Sequence, residues 1–420
     1  MSPIPFQEHP YREAVLEEVH ARPIELIEGR TRVRRLAFAF PTSPEAPARI
    51  VEAFLGWCGA VGVAKPGEGM RQHSYRVGER QVTWELHTEF VTFTWRSGLD
   101  DKDNWPEGIG LESVGEAQLV CAVRVDVIED LTVPDRIIEG FECPSLCLVD
   151  VEGGAGQVAT DFIPDADSYT RLELASGGMN TLRRSIIVRR LLEIETYRTM
   201  ALLGLPLARQ ISPQLRAAEA GLTEAVEAMP ETISTDRAQA SLAALHALSV
   251  RSGQLSDRTG YRFAACNAYG DILNARLDGL HERQTGRGST LSRYIGSRVD
   301  PALATYAAIE KRQRMLNEKI ERAIGLLDVR IGLDVQIQNR NVLEAIAQTA
   351  RSQFLLQRTV EGLSVIAISY YLLGILSYLF AGPLEVLHVS KTMALSLAAP
   401  LVVLVVWLIA RSVRRTHPPA

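Results

Sequence analysis

The 420-residue chain is short of cysteine and histidine and has no surplus of positive charge, and each shortage removes a class of function. Its five cysteines, Cys58, Cys121, Cys143, Cys147 and Cys266, are odd in number and scattered. Cys143 and Cys147 are followed by no second Cys/His pair at finger-like distance, as a structural zinc site requires. Reduced, mostly buried thiols are expected. The balance of 45 Lys+Arg against 50 Asp+Glu leaves a net charge of −5, whereas a nucleic-acid surface needs a basic excess to meet phosphates. Eight histidines leave little for a multinuclear metal centre. The N-terminal stretch MSPIPFQEHPYREAVLEEVHARP has no apolar run of the signal-peptide kind, so the residues ahead of about position 360 are expected to stay in the cytoplasm. Gly153-Gly154-Ala155-Gly156 lacks the Lys-Ser/Thr of a P-loop and the spacing of a dinucleotide fingerprint, and reads as a hairpin turn. There is no nucleophile elbow, zinc-protease helix or kinase signature. Nothing points to catalysis, and no cofactor is expected.

The chain has long apolar runs at its C-terminal end. Gly362 to Leu384 is a stretch of 23 residues without a charge, and Thr392 to Ala410 one of 19. A bilayer span needs about 20 mostly apolar residues. Two transmembrane helices are expected, at about 362–382 and 392–410, inside a hairpin covering 362–411. Arg351 and Arg358 precede the first span, and Arg411, Arg414 and Arg415 follow the second, whereas the connection holds Lys391 with Glu385 and His388. The excess of basic residues on the cytoplasmic side then places both termini in the cytoplasm, with 412–420 as a basic tail. Tyr378 and Phe380 suit the outer interface and Trp407 the inner one.

Ahead of the spans the pattern is α+β. Arg32–Phe40, Leu119–Ile128 and Ser145–Val151 read as strands, and 157–174 as one or two more. Gln81–Arg96 alternates, with Trp84, Leu86 and Phe90 on one face and Glu85, His87 and Glu89 on the other. A helix follows Ser43-Pro44-Glu45. Residues 1–176 are therefore expected to form an α+β domain around a mostly antiparallel sheet. From 177 to 361 the pattern becomes that of a helical stalk or coiled coil. Helices are expected over Leu182–Leu203, Pro213–Met229 and Asp236 to about Arg283. Asp300-Pro301 is read as the start of a last helix that runs into the membrane, with Asp as N-cap. Leu316, Ile320, Leu327, Ile331, Val342 and Ile346 form an apolar stripe that needs partners, either the preceding helices or further copies of the chain.

Three groups of residues are candidates for a site. His9, Glu17 and His20, with Glu13, recur at helical spacing, and Glu17-x-x-His20 has the geometry of a metal-binding pair. The turn His20-Ala21-Arg22-Pro23 suits an anion or a docking contact. Glu85, His87 and Glu89 could converge on a ligand or metal from one strand. Ser364, Ser369, Tyr370, Tyr371, Ser377 and Tyr378 give the first span a polar side, suited to helix packing or to lining a pore. No acid or base sits mid-span, which disfavours a proton-coupled pump.

His9-Pro10, Glu18-Val19-His20-Ala21-Arg22-Pro23, His87-Thr88-Glu89-Phe90 and Thr359-Val360-Glu361-Gly362-Leu363-Ser364-Val365-Ile366-Ala367-Ile368-Ser369-Tyr370-Tyr371 together resemble a bacterial family of membrane-anchored proteins known as domain of unknown function 3422. The resemblance spans nearly the whole chain and implies the same topology, with no activity attached. The architecture is also similar to that of CorA-type magnesium transporters, which carry Gly-Met-Asn at the outer end of the first span. Here Gly178-Met179-Asn180 lies far from the spans, and the corresponding place reads Ser377-Tyr378-Leu379-Phe380-Ala381-Gly382. The leading expectation is an inner-membrane-anchored protein whose cytoplasmic domain binds a ligand or partner. It would contact the bilayer, no nucleic acid, and further copies of itself through the stalk. The alternative is an oligomeric ion channel or transporter with the first span lining its pore.

Overall fold

The computed structural model describes residues 6–12, 15–16, 23–41, 43–67, 69–229, 235–379 and 390–416. The chain divides into two compact units, one of residues 1–233 with 239–324 and one of residues 234–238 with 325–420.

The first unit holds a nine-stranded sheet in the order β2-β3-β4-β1-β5-β8-β7-β6-β9. Its strands are β1 (Thr31–Ala39), β2 (Gln72–Val77), β3 (Arg80–Leu86), β4 (Phe90–Ser97), β5 (Gln118–Ile128), β6 (Cys147–Val151), β7 (Gly156–Pro164), β8 (Thr170–Ala175) and β9 (Arg283–Gln284). The expected α+β layout is what the chain forms. Only β5 and β8 run parallel; the other neighbours are antiparallel. The glycine-rich stretch after β6 is the turn of the β6–β7 hairpin, where Gly153 and Gly154 adopt positive φ of 72° and 96°.

Two apolar layers lie on opposite faces of the sheet, because side chains alternate along each strand. Helix α1 (Ala46–Val61) covers one face of β1–β4. Its Phe54 stacks on Trp84 at 4.5 Å, and both are fully buried. Helix α2 (Thr181–Leu202) covers the other face, where Ile187, Val188, Leu191 and Ile194 meet Val33, Val123, Val125 and Leu172. Asn180 caps α2, its side chain accepting from the Arg183 N–H at 2.9 Å. The Gly-Met-Asn triplet thus serves a helix start inside the first unit.

Helices α3 (Leu205–Glu227), α4 (Thr235–Asp278) and the first part of α5 (Leu291–Leu379) follow. Phe263 of α4 stacks on Tyr306 of α5 at 4.9 Å, and the Tyr306 hydroxyl donates to the Ala201 carbonyl at 3.1 Å. Between α3 and α5, Arg312 grips Glu219 at 2.6 and 3.1 Å.

The structure corrects three expectations. Gln81–Arg96 is two strands joined at 87–89, not one, so Trp84 and Phe90 enter different cores. The His87 N–H donates to the Phe90 carbonyl and closes that turn. Helix α3 begins at Leu205, with Pro213 in its interior. Helix α5 begins at Leu291 rather than at Asp300, with Pro301 inside it. The Glu282 carboxylate accepts from the N–H groups of Leu291 and Ser292, both at 2.8 Å. A carboxylate there satisfies open donors and meets the positive end of the helix dipole, so the chain can enter the helix ten residues before its proline.

Helix α5 is unbroken over 89 residues, and Gly325 and Gly332 are both helical. The boundary between the units falls within it. The second unit also contains α6 (Lys391–Thr416). The final stretch of α5 and Thr392–Ser412 are long and apolar enough to cross a membrane.

Candidate functional site

Strand alternation puts Arg35 on the face under α2, and three strands build on it. The Arg35 guanidinium crosses β4, donating to Thr94 Oγ1 at 2.8 Å and to Glu85 Oε2 on β3 at 3.2 Å. Both partners of that ion pair are 7% exposed. Helix α2 lays Arg189 and Glu193 over it. Arg189 Nε donates to Glu193 Oε1 at 2.9 Å, and Arg276 of α4 pairs with the other carboxylate oxygen. Burial alone would lower the Arg189 pKa, but Glu193 and then Glu85 hold it above its ordinary value. Two small cavities flank this cluster, and both are lined by Arg35, Glu85 and Arg189. One, of about 60 Å³, reaches Ile24, Gln72 and Ser185; the other, of about 30 Å³, reaches His87, Tyr197 and Arg276. Such volumes hold a few waters, against roughly 300–1,000 Å³ for a cofactor or drug-sized ligand.

The turn after β3 separates the residues proposed to converge with Glu85. His87 stacks on Phe90 at 4.1 Å. Glu89 pairs with Arg262 of α4 at 2.9 Å. Burial, followed by the charge of Glu89, raises the pKa of Tyr261 and of Tyr269. Each carboxylate therefore has its own arginine. Among the described residues no group of three or more His, Cys, Asp and Glu is placed to hold a metal. His9 is exposed, and its Nδ1 accepts from the Tyr11 N–H at 3.2 Å; Glu17, His20 and Arg22 lie outside the described residues.

Sequence reasoning missed a second charged cluster on the opposite face. The pairing of β1, β5 and β8 sets Arg32, Asp126 and Glu173 in one row and Arg34, Arg124 and Arg171 in the next. Arg32 holds Asp126 through two bonds of 2.6 and 2.9 Å. Arg34, fully buried, donates to Asn104 Oδ1 and Ser97 Oγ. Arg124 reaches Asp165 at 3.0 Å. Glu173 lies 3.4 Å from Arg171, yet burial and then the neighbouring charge of Asp126 push its carboxyl up to about 8. The available signal was a charge at alternate positions in RVRRL, VRVDV and RLELA; the strand pairing that unites them was not.

The cysteines offer no activated nucleophile in the core. Burial pushes the Cys121 and Cys147 thiols up to about 12 and that of Cys266 to about 11, whereas an attacking thiolate needs a lowered value.

In the second unit the six polar residues of the first apolar run differ in exposure. Ser369 is 3% exposed, and its hydroxyl donates to the Val365 carbonyl at 2.7 Å. Ser364 is exposed, with its hydroxyl on the Val360 carbonyl. Tyr370, Tyr371, Ser377 and Tyr378 line an open groove of about 640 Å³ with Leu395 and Ala399 of α6.

No curated protein and no solved structure matches the chain, so the likeness to CorA-type transporters finds no support there. A family model matches residues 7–417, nearly the whole sequence. On that match, the chain belongs to the family described as protein of unknown function (DUF3422).

Proposed function

We propose that this protein is a membrane-anchored binding protein of the bacterial inner membrane. Its two apolar helices form a hairpin anchor with both termini in the cytoplasm, and the sheet-containing unit presents a binding surface to a ligand or partner there. The carrying observation is that the apolar side chains of these helices are exposed, among them Ile366, Ile368, Ile375, Leu397, Leu401 and Leu404. Water leaves such surface unsatisfied, and lipid is the solvent that matches it. Arg411 stacks over Trp407 at 5.1 Å, a pairing suited to the cytoplasmic interface. The paired carboxylates and small cavities of the sheet unit favour binding at its surface over chemistry in its core. The bilayer and further copies of the chain are its partners, and nucleic acid is not one.

Thiol labelling of intact cells tests the topology. Ser390→Cys should react with a membrane-impermeant maleimide, while Ser412→Cys and the exposed native Cys143 should react only after lysis. Labelling of Ser412→Cys in intact cells would overturn the arrangement. A channel is the second reading, favoured by the groove beside Tyr370, Tyr371, Ser377 and Tyr378. Ion flux into proteoliposomes that disappears with Ser377→Ala and Tyr378→Phe would put it first.

A further inference from the structure

From Val342 to Ser377, helix α5 carries an uncharged residue at every third and then fourth position. Val342, Thr349, Leu356, Leu363, Tyr370 and Ser377 alternate with Ile346, Gln353, Val360, Ala367 and Gly374. This 3.5-residue period is the seam of a coiled coil, the first set falling at d and the second at a. It runs from the charged stretch into the apolar run without changing phase. All four charged residues of that length, Glu344, Arg351, Arg358 and Glu361, fall at f or b, away from the seam. Most of it is uncovered: Val342, Ile346, Leu356, Val360, Leu363 and Tyr370 are 53–74% exposed, while Gly374 and Ser377 near its end are half-buried. Of the covered residues of the apolar run, Val365, Ser369, Leu372 and Leu376 lie on the other side of the helix, and Leu373, Gly374 and Ser377 border the groove shared with α6.

We infer that this seam pairs two copies of the chain as a parallel, in-register dimer. The inference rests on the anchored reading. A partner must match apolar positions in water and in lipid at one unbroken phase, and a second α5 held at the same depth does so along its whole length. A shared anchor also fixes the two helices parallel and raises their effective concentration. Ile346 and Val360 at a with Leu356 and Leu363 at d follow the pattern that selects two strands, and Gln353 is a polar residue at a within it. The symmetric pair sets no like charges against each other. Mid-span, Tyr370 would bring its hydroxyl to a protein partner instead of hydrocarbon, where an unmatched polar group is costly. The same pairing fills the groove beside Gly374 and Ser377. Phe354 and Leu355 fall at b and c and stay outside it.

The test uses the full-length protein in native membranes, with single cysteines along the seam and mild oxidation. Gln353→Cys, Leu356→Cys and Val360→Cys should give a disulfide-linked dimer absent from the unsubstituted chain, and Arg351→Cys, Leu355→Cys and Arg358→Cys should not. Light scattering in detergent should give twice the chain mass, falling to one chain with Leu356→Glu. Crosslinking at positions 351, 355 and 358 alone, equal crosslinking at all six positions, or a mass of three or more chains overturns the dimer. A monomer that resists alkaline extraction overturns the dimer and leaves the anchor standing. A protein that alkali releases overturns the anchored reading itself.

Discussion

In the sheet-containing unit several arginines are buried and paired, while in the second unit many leucines, valines and tyrosines are exposed. Arg34 lies wholly inside the first, among Asn104, Ser97 and the Asp101 carbonyl. Leu343, Phe354 and Tyr378 stand open in the second. The first unit pairs most of its buried charges and covers most of its apolar groups by itself, as a chain folding in water must. The second leaves apolar area that only another medium or another molecule can take up. Ion pairing cannot explain the contrast, since both units contain arginine and glutamate; what differs is whether a second layer covers them.

The sharpest way to break this comparison is to open the first core. Trp84→Ala removes the ring stacked on Phe54 and should cost about 3–5 kcal/mol in urea unfolding followed by near-ultraviolet dichroism. A loss below about 1 kcal/mol would mean that this core collapses around the gap. Arg35→Ala leaves the Glu85 carboxylate buried without its arginine and should cost about 3 kcal/mol, most of it regained when Arg35→Met is combined with Glu85→Leu. In the second unit, Leu404→Arg places a charge mid-run and should oppose membrane insertion by about 2.5–3.5 kcal/mol. It is read as a reduced fraction resistant to alkaline extraction, with urea unfolding of the sheet unit unchanged.

Glu173 gives a subtler test. Burial and Asp126 hold its folded carboxyl at about 8, above its ordinary 4.5, so the folded state binds the extra proton between those pH values. Its contribution to stability is complete below the lower value and fades as pH rises through the upper one. Glu173→Gln should flatten that decline in unfolding curves taken from pH 5 to 9; an unchanged slope would show the carboxyl to be ionised throughout. The smallest effect belongs to Arg340→Ala, which removes an exposed pair with Glu344 and should leave stability and membrane content unchanged.

Much of the fold is written in local pattern. RVRRLAFAF and LVCAVRVDVI read as strands because β-branched and apolar residues alternate with polar ones, and Leu182–Leu203 reads as a helix from its 3.6-residue spacing. The break at 87–89 is harder to read, because His-Thr-Glu contains no Gly, Pro, Asn or Asp to mark a turn. Pro301 suggests a helix start, yet Glu282 caps the helix from nine residues upstream of Leu291. The candidate site is legible only in part. Glu85 is found by alternation, but Arg35, Arg189, Glu193 and Arg276 come from three other elements, and no periodicity links them.

The sequence alone determined which segments are apolar enough for a membrane, roughly where most strands and helices lie, and which family the chain resembles, because each is a property of neighbouring residues. The tertiary structure alone decided which arginine neutralises which carboxylate, that Arg32, Asp126 and Glu173 form one row, and that the same helix is covered in one stretch and bare in another. Those outcomes depend on strand register and helix packing between residues far apart in sequence, such as Arg35 and Arg276, 241 positions apart and lining one cavity, and local patterning does not encode contacts at that range.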